Sequence, residues 1–221
     1  MGRALLSSTP SPYFLSFSIN SVESGELKTE LVRKIIHFSI ALSPSMAAIN
    51  KPLTVIFLII GTLGYTFMEY LRFSGVKIPV ISALTSMASR ARDIGHFVIG
   101  PVTLGLGALL ALLLYPSPVA SIAIYALAFG DGFASLVGRF LGKLRPAFLH
   151  GKSIEGSLAC FMVVLICAFR VSGNVYISLV AAFTATVIEA LPLEDYDNMV
   201  LPVTVGLMVK LVSPYVLIFG F

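Results

Sequence analysis

The stretch Ala128-Phe129-Gly130-Asp131-Gly132-Phe133-Ala134-Ser135-Leu136-Val137-Gly138-Arg139-Phe140-Leu141-Gly142-Lys143 carries a carboxylate into the interior of an apolar run that spans residues 118–141. A run of that length with so little charge reads as a membrane-crossing helix. Asp131 precedes Arg139 by eight residues, so it sits about 12 Å deeper along the helix axis. An ionised Asp at such a depth costs about 2.5–3.5 kcal/mol on insertion scales, so something must bind it. Asp131, Ser135, Gly138 and Gly142 fall at i, i+4, i+7 and i+11, on one helix face. Close helix packing accounts for the glycines of that stripe. It does not account for the acid, which reads as functional.

Six further apolar runs flank this one, at 33–49, 53–71, 96–115, 154–171, 175–191 and 199–219, each near spanning length. Over its 221 residues the chain is 57% hydrophobic and 12% charged, whereas a soluble domain carries about 25% charged residues. This balance excludes an ordinary soluble enzyme and a disordered chain. The fold expected is all-α: a multi-pass integral membrane protein of about seven transmembrane helices. Residues 1–30 are Ser-rich and read as a mobile or surface-lying N-terminal arm. Residues 31–221 read as one membrane-embedded catalytic domain. Cys160 and Cys167 lie seven apart on one helix, too distant for a mutual disulfide, and read as packing residues.

With the N-terminus in the cytoplasm and the connections 72–95, 142–153 and 192–198 on the same side, 12 of the 15 basic residues fall on the cytoplasmic side, in the arm, in 72–95 and 142–153, and at the adjoining ends of the apolar runs. The positive-inside rule therefore places the N-terminus inside and the C-terminus outside. It also explains the net charge of +4 without a nucleic-acid partner. The carboxylates lie on or near the same side, so the polar chemistry is expected at the cytoplasmic face.

Gly151-Lys152-Ser153 suggests a Walker A loop, but Pro146 stands where that motif needs its first glycine and no strand precedes it. What remains is a helix start: Ser153 as N-cap, with free amides and Lys152 favouring an anion such as phosphate. A capped helix with a snorkelling lysine is the plainer alternative. Glu189 lies inside the sixth run and needs a partner. Glu194, Asp195, Asp197 and Asn198 crowd the turn that follows, where hard oxygen ligands suit Mg²⁺. Asp197-Asn198 can equally cap the last helix. Arg33-Lys34-Ile35-Ile36-His37 opens the first run, and Arg90-Ala91-Arg92 precedes the third. Acids that hold Mg²⁺ and cations that neutralise phosphates are what phosphoryl or nucleotidyl transfer needs.

Four motifs, in order, extend from residue 31 to about 210: Arg33-Lys34-x-x-His37, Gly130-Asp131-Gly132-x-Ala134-x-x-x-Gly138-x-x-x-Gly142, Lys152-Ser153-x-Glu155-Gly156-Ser157, and Glu189 followed by Asp197-Asn198-x-x-x-Pro202. In this combination the chain resembles the polyprenol kinase family, which includes dolichol kinase, phytol kinase and the CTP-dependent diacylglycerol kinase of fungi. The resemblance implies a multi-pass enzyme that moves the γ-phosphate of CTP to a membrane lipid alcohol, with Mg²⁺. It implies Asp131, Lys152, Glu155 and His37 as catalytic residues. Arg33, Arg92, Arg139, Lys143, Lys152 and Ser153 are the candidates for nucleotide and phosphate binding, and Asp131, Glu189, Asp197 and Asn198 for the metal. A CTP:phosphatidate cytidylyltransferase uses the same nucleotide and metal and is the alternative. A transporter or non-enzymatic membrane protein accounts less well for an outer half nearly devoid of ionisable groups.

Overall fold

The computed structural model describes residues 32–76 and 95–219, and every regular element among them is helical. Helix α1 (32–39) passes through a 3₁₀ turn, Ile40–Leu42, into α2, Ser43–Phe73. After the undescribed connection come α3 (Gly100–Leu114) and α4 (Val119–Tyr125). A π-helical segment, Ala126–Asp131, joins α4 to α5 (Gly132–Phe140). Then follow α6 (Ile154–Ser172), α7 (Val175–Ala190), a 3₁₀ turn at Glu194–Tyr196, and α8 (Asp197–Phe219). Three stretches are long and apolar enough to cross a membrane: Val32–Phe73, Val119–Phe140 and Ile154–Ser172. Helices α3 and α7 are apolar but shorter.

The expected connection Asn50-Lys51-Pro52 contracts to a single residue. Asn50 alone leaves the helical region, at φ −153° and ψ 93°. Its side chain accepts from the Leu53 amide at 3.0 Å, so it caps the second half of α2. Arg33, His37 and Tyr65 line one cavity, so the two arms on either side of Asn50 return to the same end of the molecule. The third run also starts late. Helix α3 begins at Gly100 rather than near 96, with Pro101 in its first turn. The N-terminal arm and Arg92 lie outside the described residues.

The Val119–Phe140 stretch is the centre of the bundle. In its most apolar window 61% of the residues are buried, against 22% in Ile154–Ser172 and 11% in Val32–Phe73. Ala123, Ile124, Ala126, Leu127 and Ala128 are sealed from solvent, and Val164, Ala181, Ala182, Ala185, Leu201 and Val205 close around them. Alanine fits here because a small side chain lets neighbouring helices approach closely, and dispersion contacts rather than water expulsion hold helices together in lipid. The outward faces carry Phe57, Ile60, Leu63, Phe67, Phe169 and Phe183, all exposed, which suits a lipid surround.

Glycine sets the closest approach, at the end of the bundle where the carboxylates gather. A Cβ at Gly156 would lie 2.6 Å from the Ala134 carbonyl oxygen, and one at Gly142 would lie 2.5 Å from Ser153 Oγ. The small-residue stripe of the central helix is thus the seam against the start of α6. It brings Asp131 and the Lys152-Ser153 turn to one side of the molecule.

Candidate functional site

One cavity of about 790 Å³ opens at this end, lined from α1, α2, α3, the central helix, the 142–153 connection and the α7–α8 turn. Motifs far apart in the chain converge on it. Arg33, His37, Asp131, Arg139, Lys152, Ser153, Glu189, Asp197 and Asn198 all line it. Ser135, Arg145, Glu194 and Asp195 join them.

Asp131 ends the π-helical segment. Such segments depart from the i→i+4 bonding pattern and recur at functional sites. The Leu127 carbonyl, within the segment, receives a hydrogen bond from His37 Nε2 at 2.8 Å. The same nitrogen lies 3.3 Å from Asp131 Oδ2. Between two acceptors, that nitrogen must carry the proton. The partner demanded by the buried acid is Lys34, whose Nζ donates to Asp131 Oδ2 at 2.8 Å. Lys34 is only 2% exposed. The sequence displays Lys34 as one of several flanking cations. What marks it is the helical spacing that puts it on the face of His37, one turn away.

Glu189 is the second buried acid of the site, and Lys152 is its partner. Lys152 Nζ lies 3.2 Å from Glu189 Oε1 and also donates to the Glu189 backbone carbonyl. Ser157 Oγ adds a longer contact to Oε2 at 3.4 Å. Lys152 keeps 29% of its side chain exposed, so the pair tethers the ammonium at the cavity wall without burying it. Ser153 caps α6 as expected, accepting from the Gly156 amide at 3.1 Å.

Two expected site residues stand elsewhere. Glu155 does not line the cavity. Its carboxylate accepts from the amides of Lys143 and Leu144, at 3.0 and 3.2 Å, and so ties the 142–153 connection to the first turn of α6. A carboxylate in a first helical turn serves that purpose well. Lys143 is exposed and also lies off the cavity. Arg145, which the sequence left as one more basic residue, takes a place on the wall. It donates to the carbonyls of Gly138, at 2.6 Å, and Gly151, at 2.5 Å. Only the fold could reveal this, because the two carbonyls it joins belong to a helix end and a loop.

The α7–α8 turn adds Glu194, Asp195 and Asp197 to the lining. Burial first, and the Asp131 carboxylate second, push Asp197 up to about 7. Asn198 is buried and donates to Thr103 Oγ1 at 3.1 Å, which fastens the start of α8 to α3. Among the described residues no three carboxylate, imidazole or thiol groups form a ready-made ligand cage. The cavity lining thus mixes cations and carboxylates, with Asp131 paired to Lys34 and Glu189 paired to Lys152.

Comparison with known proteins follows the same lines. The chain is similar to CTP-dependent diacylglycerol kinase 1 of Eremothecium gossypii, 29% identical over 146 residues, covering 64% of this chain and 46% of that protein. It is similar to a probable chloroplastic phytol kinase of Triticum aestivum, 28% identical over 144 residues, covering 57% of this chain and 48% of that protein. A probable chloroplastic phytol kinase 2 of Oryza sativa subsp. japonica is 24% identical over 243 aligned positions, covering 96% of this chain and 76% of that protein. The chain thus spans about half the length of the first two relatives. No family model matches the chain, and no solved structure does.

Proposed function

We propose that this relative of the polyprenol kinases is a membrane-embedded lipid kinase that transfers the γ-phosphate of CTP to a lipid alcohol. The observation that carries the reading is the cavity whose lining gathers four cations (Arg33, Arg139, Arg145, Lys152) together with the carboxylates of Asp131, Glu189 and Asp197. A nucleoside triphosphate brings about four negative charges, and phosphoryl transfer is mostly a problem of positioning and neutralising them. Arginines suit phosphate oxygens through paired N–H groups, and Lys152 suits them as a point charge. The first amides of α6, behind Ser153, add an oriented dipole.

Mg²⁺ fits the donor set. It typically takes one or two carboxylates and completes its shell with water and substrate phosphates rather than a protein cage. Asp131 and Asp197 would hold it, with Glu189 and Asn198 beside them, and when bound it neutralises the phosphates and stabilises the leaving diphosphate.

In the proposed reaction the lipid hydroxyl oxygen bonds to the γ-phosphorus. The bond from that phosphorus to the β–γ bridging oxygen breaks, CDP leaves, and the hydroxyl proton is released. His37 touches Asp131 and Leu127 and reads as a positioning residue for Asp131. Purified protein in nanodiscs, supplied with γ-labelled CTP and a panel of lipid alcohols, tests the reading. Label in the lipid together with CDP supports it. Pyrophosphate release with cytidine incorporated into phosphatidate would establish the cytidylyltransferase instead.

The same reading puts seven passes in the membrane and the cavity at the cytoplasmic face. The basic connections support that orientation. Cysteine labelling from outside should reach Asn174→Cys and spare Leu144→Cys, and the reverse pattern would overturn it.

A further inference from the structure

The described part of α2 exposes nearly all of its circumference except one stripe, Thr54, Leu58, Thr62 and Glu69, which is buried. Glu69 is wholly buried, on a helix whose remaining faces are largely exposed. It is held by Arg72, one turn on, through Nε to Oε2 at 2.7 Å and a second guanidinium nitrogen to Oε1 at 2.6 Å. Oε1 also accepts from the Val98 amide at 2.8 Å, and Arg72 donates to the His96 carbonyl at 3.0 Å. The Tyr65 hydroxyl donates to the Val98 carbonyl at 3.3 Å. The residues just before α3 are therefore pinned to α2 through the Val98 amide and the His96 and Val98 carbonyls. Burying a carboxylate among lipid-facing residues is costly even when it is paired, and helix packing alone does not require it.

What the pair fixes is a wall of the cavity. Tyr65 and Val98 line it, and with Ile36, Pro101 and Leu104 they make its apolar side. The opposite face of α2 carries Leu63, Phe67 and Tyr70, all exposed. This apolar side thus lies one helix away from the surround, in the same lining as the charged groups that suit a nucleotide.

We propose that Glu69 and Arg72 are positioning residues that hold the Tyr65–Val98 wall in place to receive the chain of a lipid bearing a primary hydroxyl. The proposal rests on the kinase reading for what the lipid is used for. It stands on the clamp geometry for where the lipid binds. Replacing the Glu69 carboxylate by an amide removes the charge that Arg72 answers and one of the two acceptor oxygens, so the Val98 amide and the two-pronged Arg72 contact can no longer all be satisfied. The wall then shifts, while the phosphate-binding walls, on other helices, stay.

The full chain in nanodiscs is photolabelled with a long-chain isoprenoid alcohol carrying a tail diazirine, and in parallel with a diacylglycerol carrying the same group. Binding of radiolabelled CTP is measured on the same samples. In the wild-type protein, label from one of the probes should fall on peptides containing Tyr65 or Val98, and the probe that labels identifies the lipid class. Glu69→Gln should lower that labelling about tenfold and leave CTP binding unchanged. Label absent from both peptides, or equal losses of lipid and CTP binding, would overturn the proposal. Should Glu69→Gln fail to fold, Val98→Phe decides: it fills the wall without touching the clamp, and should lower labelling by a similar factor with CTP binding intact. Unchanged labelling in Val98→Phe would overturn the proposal. Labelling as expected, with no phosphorylated lipid formed from CTP, would leave the wall standing and defeat the kinase reading.

Discussion

The two ends of the bundle are built on different principles. At one end the connection between α6 and α7 is two residues long, Gly173 and Asn174, and each has a local reason. Gly173 takes the left-handed conformation, φ 66°, that closes α6, and its amide bonds the Phe169 carbonyl. Asn174 then caps α7, accepting from the amides of Tyr176 and Ile177 at 2.9 and 3.1 Å. At the other end the buried acids of the site find their partners far along the chain. Asp131 finds its partner 97 residues away and Lys152 reaches Glu189 across 37. The contrast separates a region whose polar groups are satisfied by their neighbours in sequence from one whose polar groups are satisfied only once the helices have assembled. The first serves stability, and the second is where chemistry is available.

The largest effect that would test this contrast is expected at Asp131. Asp131→Asn leaves Lys34 buried without its counter-charge, and removing one member of a buried pair typically costs about 3–5 kcal/mol. It should also abolish lipid phosphorylation. The double variant Lys34→Met, Asp131→Asn should regain most of the lost stability, measured by thermal unfolding in detergent, while turnover stays absent. Recovery of turnover in the double variant would reduce Asp131 to a packing charge.

A smaller effect is expected at Lys152. Lys152→Ala should lower the turnover rate and raise the apparent Michaelis constant for CTP, by about 30- to 1,000-fold in kcat/KM, equivalent to ~2–4 kcal/mol. Lys152→Arg should partly restore it. Because the lysine is also the partner of Glu189, unfolding must be followed on the same samples. A variant that loses stability and keeps its CTP kinetics would show that the lysine anchors the helix and does not grip phosphate.

The smallest effect belongs to the opposite end. Asn174→Ala should cost about 1 kcal/mol of stability through the lost cap and leave the kinetics for both substrates unchanged. A change in CTP kinetics from that position would erase the distinction between the two ends.

How far each region is legible follows from the same division. The Ser172-Gly173-Asn174 turn, the Ser153 cap and the Gly138/Gly142 stripe can be read from neighbouring residues, because they depend on backbone conformation and helical period. The pairing of Asp131 with Lys34 cannot, although the need for a partner can. Several cations stand at helix starts, and only packing selects among them. Glu155 shows the complementary case: its motif sets it three residues after Lys152, but its carboxylate accepts from the Lys143 and Leu144 amides and does not line the cavity. Glu69 is a residue that the sequence reading passed over, although an acid inside the apolar run 53–71 is a signal that could have marked it.

Helices, their approximate limits, a lipid surround and an acid that requires a counter-charge all follow from composition and periodicity, because these depend on how each residue meets its own backbone and the bilayer. Which cation answers which acid, which carboxylate leaves the cavity, and which helix supplies the apolar wall depend on distances between residues far apart in the chain. Those distances exist only once Gly142 and Gly156 have let the central helix and α6 close to contact.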